Sequence, residues 1–484
     1  MKRTHSMWPA VVVLTGMVVA AAAAQQVPDR SHPPAPGPIR PLTVPAVRKS
    51  TLANGLRVWI VEHHKVPVVQ ANLVVFSGSA EDPAGKFGVA NLTAALLQDG
   101  AGSRSALEVA DAVDFLGADL TTAGGIDSSV VRLHVPVARF ADALPIMADV
   151  ALRPTFPSAE LDRVRQQRLT SLLQARDDPP TIAAVAFSRM LFGPAHRFGT
   201  MTGGTAETIK SFTPEDLRSF YRAAYRPDNA ALVIVGDVTA ARAMPLVEAA
   251  FGAWKSAGAP PPSGVLPPVS PPASRTVYLL DKPGAAQSQI RIGALGVARS
   301  TPDYFPLEVL NTILGGSFTS RLNNNLREQH GYAYGAGSAF DMRVTPGPFF
   351  AAAGVQTDKT SEALKEFFNE LNGILKPVPA AELDREKHYV ALRYPSGFET
   401  TGEISRQLEN LLVYHLGDDY FSTYVQRIEA VSAADVQRVA EKYLHPDRMI
   451  VVIVGDLKVI EPGIRALNLG PVKTVTLDEA FGGR

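Results

Sequence analysis

The sequence predicts an α+β fold of two homologous halves, each containing a sheet with helices packed on it. The main observation is a repeat: FTPEDLRSFYRAAYRPDNAALVIVGDV begins at Phe212, and VSAADVQRVAEKYLHPDRMIVVIVGDL begins at Val431. Gly236 and Gly455 end the two apolar runs at the constant offset of the repeat (455 − 236 = 219). A single repeat of this length indicates a duplicated domain, because a solenoid needs at least about three stacked units.

Two further observations support this fold class. Each copy of the repeat contains an amphipathic helix, a Pro-Asp turn that ends it and a β-branched strand. Elsewhere strands and helices are mixed without strict alternation, which is typical of the α+β class. A Pro-rich segment, Ala259 to Ala273, lies between the two copies and predicts a stiff interdomain linker.

Local patterns predict the remaining elements in chain order. Asn54-Gly55 is a strong hairpin signal and predicts a strand at 56–61 directly after it. Apolar runs predict further strands at 71–76, 275–280 and 290–294, and helical periodicity predicts helices at 89–97, 106–116, 138–151, 158–175, 305–314 and 361–375.

The composition is that of a globular protein with sizeable cores. The chain has 484 residues, of which 46% are hydrophobic and 19% are charged. A single core seldom grows beyond about 250–300 residues, so two or more domains are expected. Lys plus Arg and Asp plus Glu number 47 each. This balance gives no electrostatic reason to expect nucleic acid or an anionic membrane as a partner.

The N-terminus has the organisation of a signal peptide, predicted at 1–24. MKRTH is a basic region, VVVLTGMVVA is a short apolar stretch, and Ala22-Ala23-Ala24 supplies small residues for cleavage. An uncleaved membrane anchor is the alternative, but the apolar stretch is short for a bilayer. The chain has no cysteine, so lipid attachment after the leader and disulfides are both excluded. We expect an exported, periplasmic protein with no stable membrane insertion after signal cleavage.

These patterns divide the rest of the chain into five segments. A Pro-rich tether at 25–45 precedes the N-terminal domain at 46–256. A Pro-rich linker at 257–274 leads to the C-terminal domain at 275–470, and a tail at 471–484 has no interpretable pattern.

Four segments of the first half share their patterns and their order with one known family: GVANLTAALL, LRPTFPSAELDRVRQQRLTSLLQARDDPP, LFGPAHRFGTMTGG and RPDNAALVIVGDV. They resemble the pitrilysin, insulinase and mitochondrial processing peptidase family, the inverzincin metallopeptidases. The resemblance extends from about 51 to 457 and includes both halves. It implies two peptidase-like domains, each with a mostly antiparallel sheet, as in proteins similar to mitochondrial processing peptidase.

The segment GVANLTAALL matches the helix on which active members of that family carry H-x-x-E-H. There, two histidines bind zinc, the glutamate between them is the general base, and a glutamate on a later helix is the third ligand. In this chain the H-x-x-E-H positions are Asn91, Ala94 and Ala95, and the distal position is Ser171 or, with a one-residue shift, Thr170. Alanine has no donor atom, and an amide oxygen is a poor substitute for imidazole on zinc. The resemblance therefore implies a degenerate metal site, with neither zinc nor a catalytic residue in this chain.

The second half contains LGGSFTSRLNNNLREQHGYAYGAGSAF, which resembles the family segment with S-R-L, R-E and G-x-A-Y motifs. By that resemblance, Arg321 and Tyr334 match the substrate-binding arginine–tyrosine pair that active members place opposite the zinc. An arginine can hold a substrate carbonyl, and a tyrosine hydroxyl can donate to a developing oxyanion. The alternative is that Arg321 and Arg327 are helix-face charges and that Tyr332 and Tyr334 pack against a sheet.

Some members of the family divide their chemistry between two chains, one with zinc and one with the arginine–tyrosine pair. This chain resembles the second kind, which implies a non-catalytic, substrate-positioning subunit of a periplasmic heterodimeric zinc peptidase. The implied partners are a homologous zinc-bearing subunit and a peptide substrate. The alternative is a catalytically inert peptide-binding or scaffold protein that retains the peptidase fold. A self-sufficient hydrolase is disfavoured, because the chain has no cysteine and no G-x-S-x-G motif.

Overall fold

Six strands form the first sheet of the structure, a computed structural model that describes residues 45–256 and 266–483. In chain order the strands of the first half are β1 (Val47–Thr51), β2 (Arg57–Glu62), β3 (Val68–Val75), β4 (Gly100–Ala101), β5 (Arg104–Ser105), β6 (Asp119–Gly124), β7 (Ser129–Pro136) and β8 (Ala230–Gly236). β4 and β5 pair only with each other, and the other six form a sheet in the order β1-β2-β8-β3-β7-β6. All pairings are antiparallel except that of β2 with β8. β1 and β2 form the predicted hairpin around Asn54-Gly55.

Eight helices accompany this sheet within residues 45–256. They are α1 (Val89–Ala95), α2 (Ala106–Phe115), α3 (Phe140–Leu152), α4 (Ser158–Ala175), α5 (Pro179–Phe192), α6 (Ala206–Ser211), α7 (Pro214–Ala224) and α8 (Ala240–Phe251). Local capping explains several of their starts: Ser105 caps α2 with Glu108, and Thr213 caps α7 with Asp216. Each forms a reciprocal capping box, which satisfies N–H groups that the first turn leaves unpaired.

The second sheet has the same overall design. Its strands are β9 (Thr276–Asp281), β10 (Gln287–Leu295), β11 (Ala333–Phe340), β12 (Pro348–Gln356), β13 (Ile450–Gly455) and β14 (Val472–Thr474), in the order β11-β12-β10-β13-β9-β14. The pairings of β9 with β13 and β14 are parallel, and the others are antiparallel. β14 lies within 471–484, the tail in which no interpretable pattern was found, so part of the predicted tail belongs to the sheet.

The helices of the second half pack around this sheet. They are α9 (Tyr304–Asn311), α10 (Arg321–Asn323), α11 (Thr360–Gly373), α12 (Ala380–Arg393), α13 (Thr401–Val413), α14 (Tyr420–Glu429), α15 (Ala433–Tyr443), α16 (Leu457–Ala466) and α17 (Leu477–Phe481). α9 and α10 continue into π-helical turns, Thr312–Gly316 and Asn324–Gln329. The two mixed sheets with their helices confirm the predicted α+β fold of two halves.

The repeat seen in the sequence is also present in the structure. α7 and α15 begin and end at the offset of the repeat, and the Pro-Asp turns after them are both short 3-10 helices, Pro227–Asn229 and Pro446–Arg448. β8 and β13 then occupy central positions in their respective sheets. The prediction of a duplicated unit is therefore confirmed.

The two halves exchange one helix each. α5, from the first half, packs on β10 and β13 of the second sheet, where Phe187 meets Phe350 edge to face. α13, from the second half, packs on β3 and β8 of the first sheet, where Val413 joins Val74 and Val130 in one apolar cluster. The two helices begin near equivalent positions of the repeat, at 179 and 401. The halves are therefore interlocked rather than joined by the linker alone.

This exchange explains the uninterrupted apolar run of β8. Successive side chains of a strand point to opposite faces, so a strand covered on both faces needs apolar residues throughout. Ala230, Leu232 and Ile234 lie in the core of the first half, whereas Ala231, Val233 and Val235 join the core of the second half.

A buried carboxylate fixes α13 to the first sheet. Glu409 accepts a hydrogen bond from Nδ2 of Asn72 (2.6 Å) on β3 and another from Nη2 of Arg132 (2.8 Å) on β7. Because charge-assisted bonds need a defined geometry, they add orientation to the apolar packing of the helix.

Asp303 joins α9 to α15. Its carboxylate accepts hydrogen bonds from Arg438 (2.8 Å), Lys442 (2.9 Å) and the Tyr443 hydroxyl (2.7 Å). Burial alone would raise the pKa of Asp303, but these three donors lower it to about 2.

We expect Asp303→Asn to lower the unfolding temperature at about pH 7 and to do so much less at about pH 2. The pKa in the folded state lies below the unfolded value of about 3.9. The ionised carboxylate therefore stabilises the fold above about pH 4, and this contribution is lost as the pH falls towards 2. Thermal unfolding followed by circular dichroism measures the difference, and a gap that does not narrow on acidification would contradict the assignment.

Some predicted segments lie outside the described residues. These are the signal peptide at 1–24, nearly all of the tether, and residues 257–265 of the linker. Among the helices within 45–256 and 266–483, none has the length and apolar character needed to cross a membrane.

Candidate functional site

α1 occupies the position at which the sequence predicts a degenerate metal site. The helix begins after Gly88, whose φ of +103° lies in the left-handed region. A Cβ at Gly88 would lie 2.4 Å from the carbonyl oxygen of Gly203. Glycine satisfies both the backbone conformation and the close approach of the two loops, which together fix where α1 starts.

A buried carboxylate caps this helix. Asp82 accepts hydrogen bonds from the backbone N–H groups of Gly88 (2.6 Å) and Ala90 (2.9 Å), and Nε of Arg197 donates to it at 2.7 Å. Burial raises the pKa of Asp82 to about 6, although Arg197 and the two N–H donors act in the opposite direction. All of the strong partners of Asp82 are thus groups that hold α1 in place, so its role here is structural.

The four predicted metal positions carry no metal-binding group. Nδ2 of Asn91 donates to the carbonyl of Gly124 (2.8 Å), and its Oδ1 is buried without a partner among the described residues. Ala94 is fully buried and Ala95 is half-buried. Ser171 is exposed on α4, where its hydroxyl donates to a carbonyl one turn back in its own helix (3.0 Å).

These residues do not fit zinc. Zinc sites in proteins use imidazole, thiolate or carboxylate ligands in a roughly tetrahedral arrangement. In the described ranges, 45–256 and 266–483, no group of three or more His, Cys, Asp or Glu side chains is placed to hold a metal ion. The face of α1 that carries the chemistry in active members is here a packing surface, and no hydrolytic step can be assigned to it.

Arg321, predicted to bind substrate, is held within the protein. It is the first residue of α10, and its Nε and Nη2 donate to the two carboxylate oxygens of Glu382 at 2.8 and 2.7 Å. These hydrogen bonds raise the pKa of Arg321. The N–H groups of Arg321 that were expected to hold a substrate carbonyl are therefore already bonded to the carboxylate of Glu382.

Tyr334, the second predicted substrate-binding residue, is freely accessible. It lies on β11, the edge strand of the second sheet, and 86% of its surface is exposed. The pairing of β11 with β12 shifts register between Ala333 and Ala336, so Tyr334 lies in an irregular part of the edge. Irregular edges of this kind commonly redirect a side chain away from the sheet.

The arginine next to Tyr334 is Arg327, not Arg321. The guanidinium carbon of Arg327 lies 5.1 Å from the ring centre of Tyr334 and 4.7 Å from that of Phe318, which is 60% exposed. We call Phe318, Arg327 and Tyr334 the aromatic–arginine surface. From the sequence, Arg327 is expected only in the alternative interpretation, as a helix-face charge, although it shares the R-E and G-x-A-Y segment with Tyr334. No sequence pattern marks Phe318 as a functional residue.

α10 holds this surface together. Nδ2 of Asn323, its last residue, donates to the carbonyl of Phe318 (2.7 Å), and Oδ1 accepts from the N–H of Ala336 on β11 (3.2 Å). Glu382 fixes the other end of α10 through Arg321. The short helix therefore sets the position of Phe318 relative to the strand that carries Tyr334.

Comparisons with known proteins agree with this architecture. The family model described as insulinase (peptidase family M16) matches residues 57–191, and the model described as peptidase M16 inactive domain matches residues 211–390. An uncharacterized zinc protease of Streptomyces coelicolor is 25% identical over 416 residues, covering 85% of this chain and 90% of that protein.

Solved structures show the same two-half fold. The peptidase M16 inactive domain from Pseudomonas fluorescens has a TM-score of 0.77 and 27% identity, covering 85% of this chain and 98% of that chain. The periplasmic protease PqqL from Escherichia coli has a TM-score of 0.72 and 18% identity, and the match covers 87% of this chain and 49% of that one. The family models cover more than half of this sequence, and the neighbours share its fold along most of its length. The chain therefore belongs to the M16 (insulinase) family of peptidases.

Proposed function

We propose that this chain is a non-catalytic M16 subunit that binds a peptide and positions it for cleavage on the zinc of a homologous partner subunit. The observation that carries the proposal is a contrast between the halves. The α1 positions that would bind zinc hold Asn91, Ala94 and Ala95, whereas the aromatic–arginine surface is exposed at an open sheet edge. The described second half thus offers groups that can hold a peptide, whereas the α1 positions that match the zinc site offer none that could activate water.

Within this proposal, Tyr334 and Arg327 contact the substrate. The Tyr334 hydroxyl can donate to a peptide carbonyl, and the Arg327 guanidinium next to it can stabilise negative charge as that carbonyl becomes tetrahedral. Arg321 is assigned a positioning role instead, because Glu382 occupies its fork. This assignment replaces the pair of Arg321 and Tyr334 by a pair that is in contact.

The periplasm and a zinc-bearing partner are part of the same proposal. The signal-peptide pattern at 1–24 favours export, and PqqL, which shares the fold, is a periplasmic protease. This chain matches about half of PqqL, so a second chain of similar size would complete an assembly of that size. The related protein of Streptomyces coelicolor is named a zinc protease, which supports a zinc-bearing homologue as the partner.

Reconstitution tests the proposal. The mature chain is purified alone and together with an M16 homologue from the same genome that retains H-x-x-E-H. Alone, we expect much less than one zinc per chain by elemental analysis and no cleavage of an unfolded peptide. Together, we expect a one-to-one complex by size exclusion with light scattering, and peptidase activity above that of the homologue alone.

Two results would count against it. One tightly bound zinc per isolated chain would overturn the assignment of α1. A homologue that is fully active alone and never co-elutes would instead favour the inert peptide-binding or scaffold protein, which direct peptide binding by the isolated chain would then identify.

A further inference from the structure

The second half contains a polar cavity that the proposed function does not use. It has a volume of about 450 Å³ and lies between α9, β11, α13 and α14. This volume is in the range of small-molecule sites. Ala339, which lines the cavity, is five residues along β11 from Tyr334, or about 16 Å at the rise of a strand. The cavity is therefore separate from the aromatic–arginine surface.

Three charged side chains line this cavity, Arg299, Glu308 and Asp341. Asp341 is paired with Arg343, whereas Arg299 and Glu308 form no ion pair with each other. Nη2 of Arg299 donates to the hydroxyl of Tyr420 (2.6 Å), and its guanidinium carbon lies 3.5 Å from the ring centre of Tyr304. In the described part of the chain, Arg299 forms no salt bridge with a carboxylate. The carboxyl group of Glu308 accepts no hydrogen bond from residues 45–256 or 266–483. Burial raises its pKa, although the nearby charges of Arg299 and Arg393 act in the opposite direction. Arg299 thus has N–H donors, and Glu308 has acceptor oxygens, that can bind a ligand in the same cavity.

One uncharged polar group in the same wall is also unpaired. The hydroxyl of Tyr394 is buried and has no hydrogen-bond partner among the described residues. Its ring stacks on Tyr424, with ring centres 3.9 Å apart. Buried polar groups in native proteins are nearly always hydrogen-bonded, so the unpaired hydroxyl of Tyr394, in the same cavity wall as Glu308, indicates a missing partner.

We propose that this cavity binds a small zwitterion, a free amino acid or a dipeptide. Its carboxylate would accept from the remaining N–H groups of Arg299, and its ammonium would donate to Glu308 beside the tyrosine rings. A simple anion is disfavoured by Glu308 and a simple cation by Arg299, whereas a zwitterion satisfies both charges. The charge pattern thus selects for a ligand with both termini free.

The cavity is also connected to the junction between the halves. Its wall includes Gln407 of α13, the helix that covers the first sheet and carries Glu409. A ligand that bridges α9 and α13 would bind the folded protein only. Binding should therefore raise the unfolding temperature of the whole chain, by linkage.

Calorimetry and thermal unfolding of the full chain test this proposal. The probes are L-leucine, L-lysine, L-glutamate and Gly-Leu, each with its N-acetylated and its C-amidated form. We expect at least one zwitterion to bind one-to-one with a Kd below about 1 mM, and to raise the unfolding temperature. Blocking either terminus should weaken binding about tenfold or more, because each block removes a charge-assisted contact.

Variants assign the binding to this cavity. Glu308→Gln, which keeps the shape of the side chain, should weaken zwitterion binding about tenfold or more, whereas Glu441→Gln on the exposed face of α15 should not change it. Tyr394→Phe, which removes only the unpaired hydroxyl, serves if Glu308→Gln does not fold. No binding by any probe, equal binding of blocked forms, or binding that is unchanged in the cavity variants would each overturn the inference. None of these outcomes depends on peptidase activity.

Discussion

Arg327→Ala lowers the turnover of the reconstituted complex about 100-fold, the effect of removing one donor to an oxyanion. Tyr334→Phe, which deletes only a hydroxyl, has an effect of similar size. Tyr334 is exposed at the edge of the second sheet, and Arg327 lies next to it, partly exposed, with its Nε 3.1 Å from Oε1 of Glu328. Because they act on the charge that develops during cleavage, the loss should appear in kcat more than in KM. Steady-state kinetics with an unfolded peptide measure the two constants.

A matched control is available in the same half. Arg427 also lies over an aromatic ring, 5.5 Å from the centre of Phe305, but at a different surface. Arg427→Ala should therefore leave turnover unchanged.

Arg321→Ala should lower the unfolding temperature, because it leaves Glu382 unpaired. If Arg321→Ala lost about 100-fold in kcat while Arg327→Ala kept full turnover, the substrate-binding role would return to Arg321.

Arg197→Met destabilises the fold by about 3–5 kcal/mol, the usual penalty for removing one partner of a buried ion pair. Arg197 donates to Asp82 and also to the carbonyl groups of Met201 and Thr202, and both charged side chains are almost completely buried. The variant leaves the Asp82 carboxylate without its cation next to the start of α1. Urea denaturation measures the loss in free energy of unfolding.

The pH dependence of this loss has a defined sign. The pKa of Asp82 in the folded state, about 6, lies above its unfolded value, so the folded protein takes up a proton as the pH falls. Removing Arg197 raises that pKa further, because a neighbouring cation is lost. The deficit of Arg197→Met should therefore be smaller at about pH 5 than at about pH 8. Arg222→Met, in the exposed pair with Glu215, is the control and should cost less than about 1 kcal/mol at either pH.

Local patterns in the sequence were sufficient to predict the repeat and most of the helices and strands. The helix, Pro-Asp turn and strand of each copy depend on residues within one segment, and α7 and α15 appear where the repeat predicts them. The exchange of α5 and α13 was not predicted. Amphipathic periodicity shows that one face of a helix is buried, but it contains no information about which sheet covers that face.

The candidate site shows the same division between local and distant information. The loss of metal ligands is readable in the sequence, because Asn91, Ala94 and Ala95 stand in one short helix. The sequence does not show which of Arg321 and Arg327 binds substrate, because both lie in one segment with similar neighbouring residues. What separates them is the kind of carboxylate partner. Arg327 pairs through Nε with its chain neighbour Glu328. Arg321 instead binds both oxygens of Glu382, a residue 61 positions away that only the fold brings to it.

The exchanged helices impose an order on the biogenesis of this protein. A polypeptide is made from its N-terminus, so β3 and β8 are complete long before Thr401–Val413, the helix that covers one of their faces, has been synthesised. Until then the nascent N-terminal half carries an uncovered apolar layer and cannot reach its final state. Both halves therefore mature together, late in synthesis, and the interval before that is the period in which the chain most needs protection from aggregation.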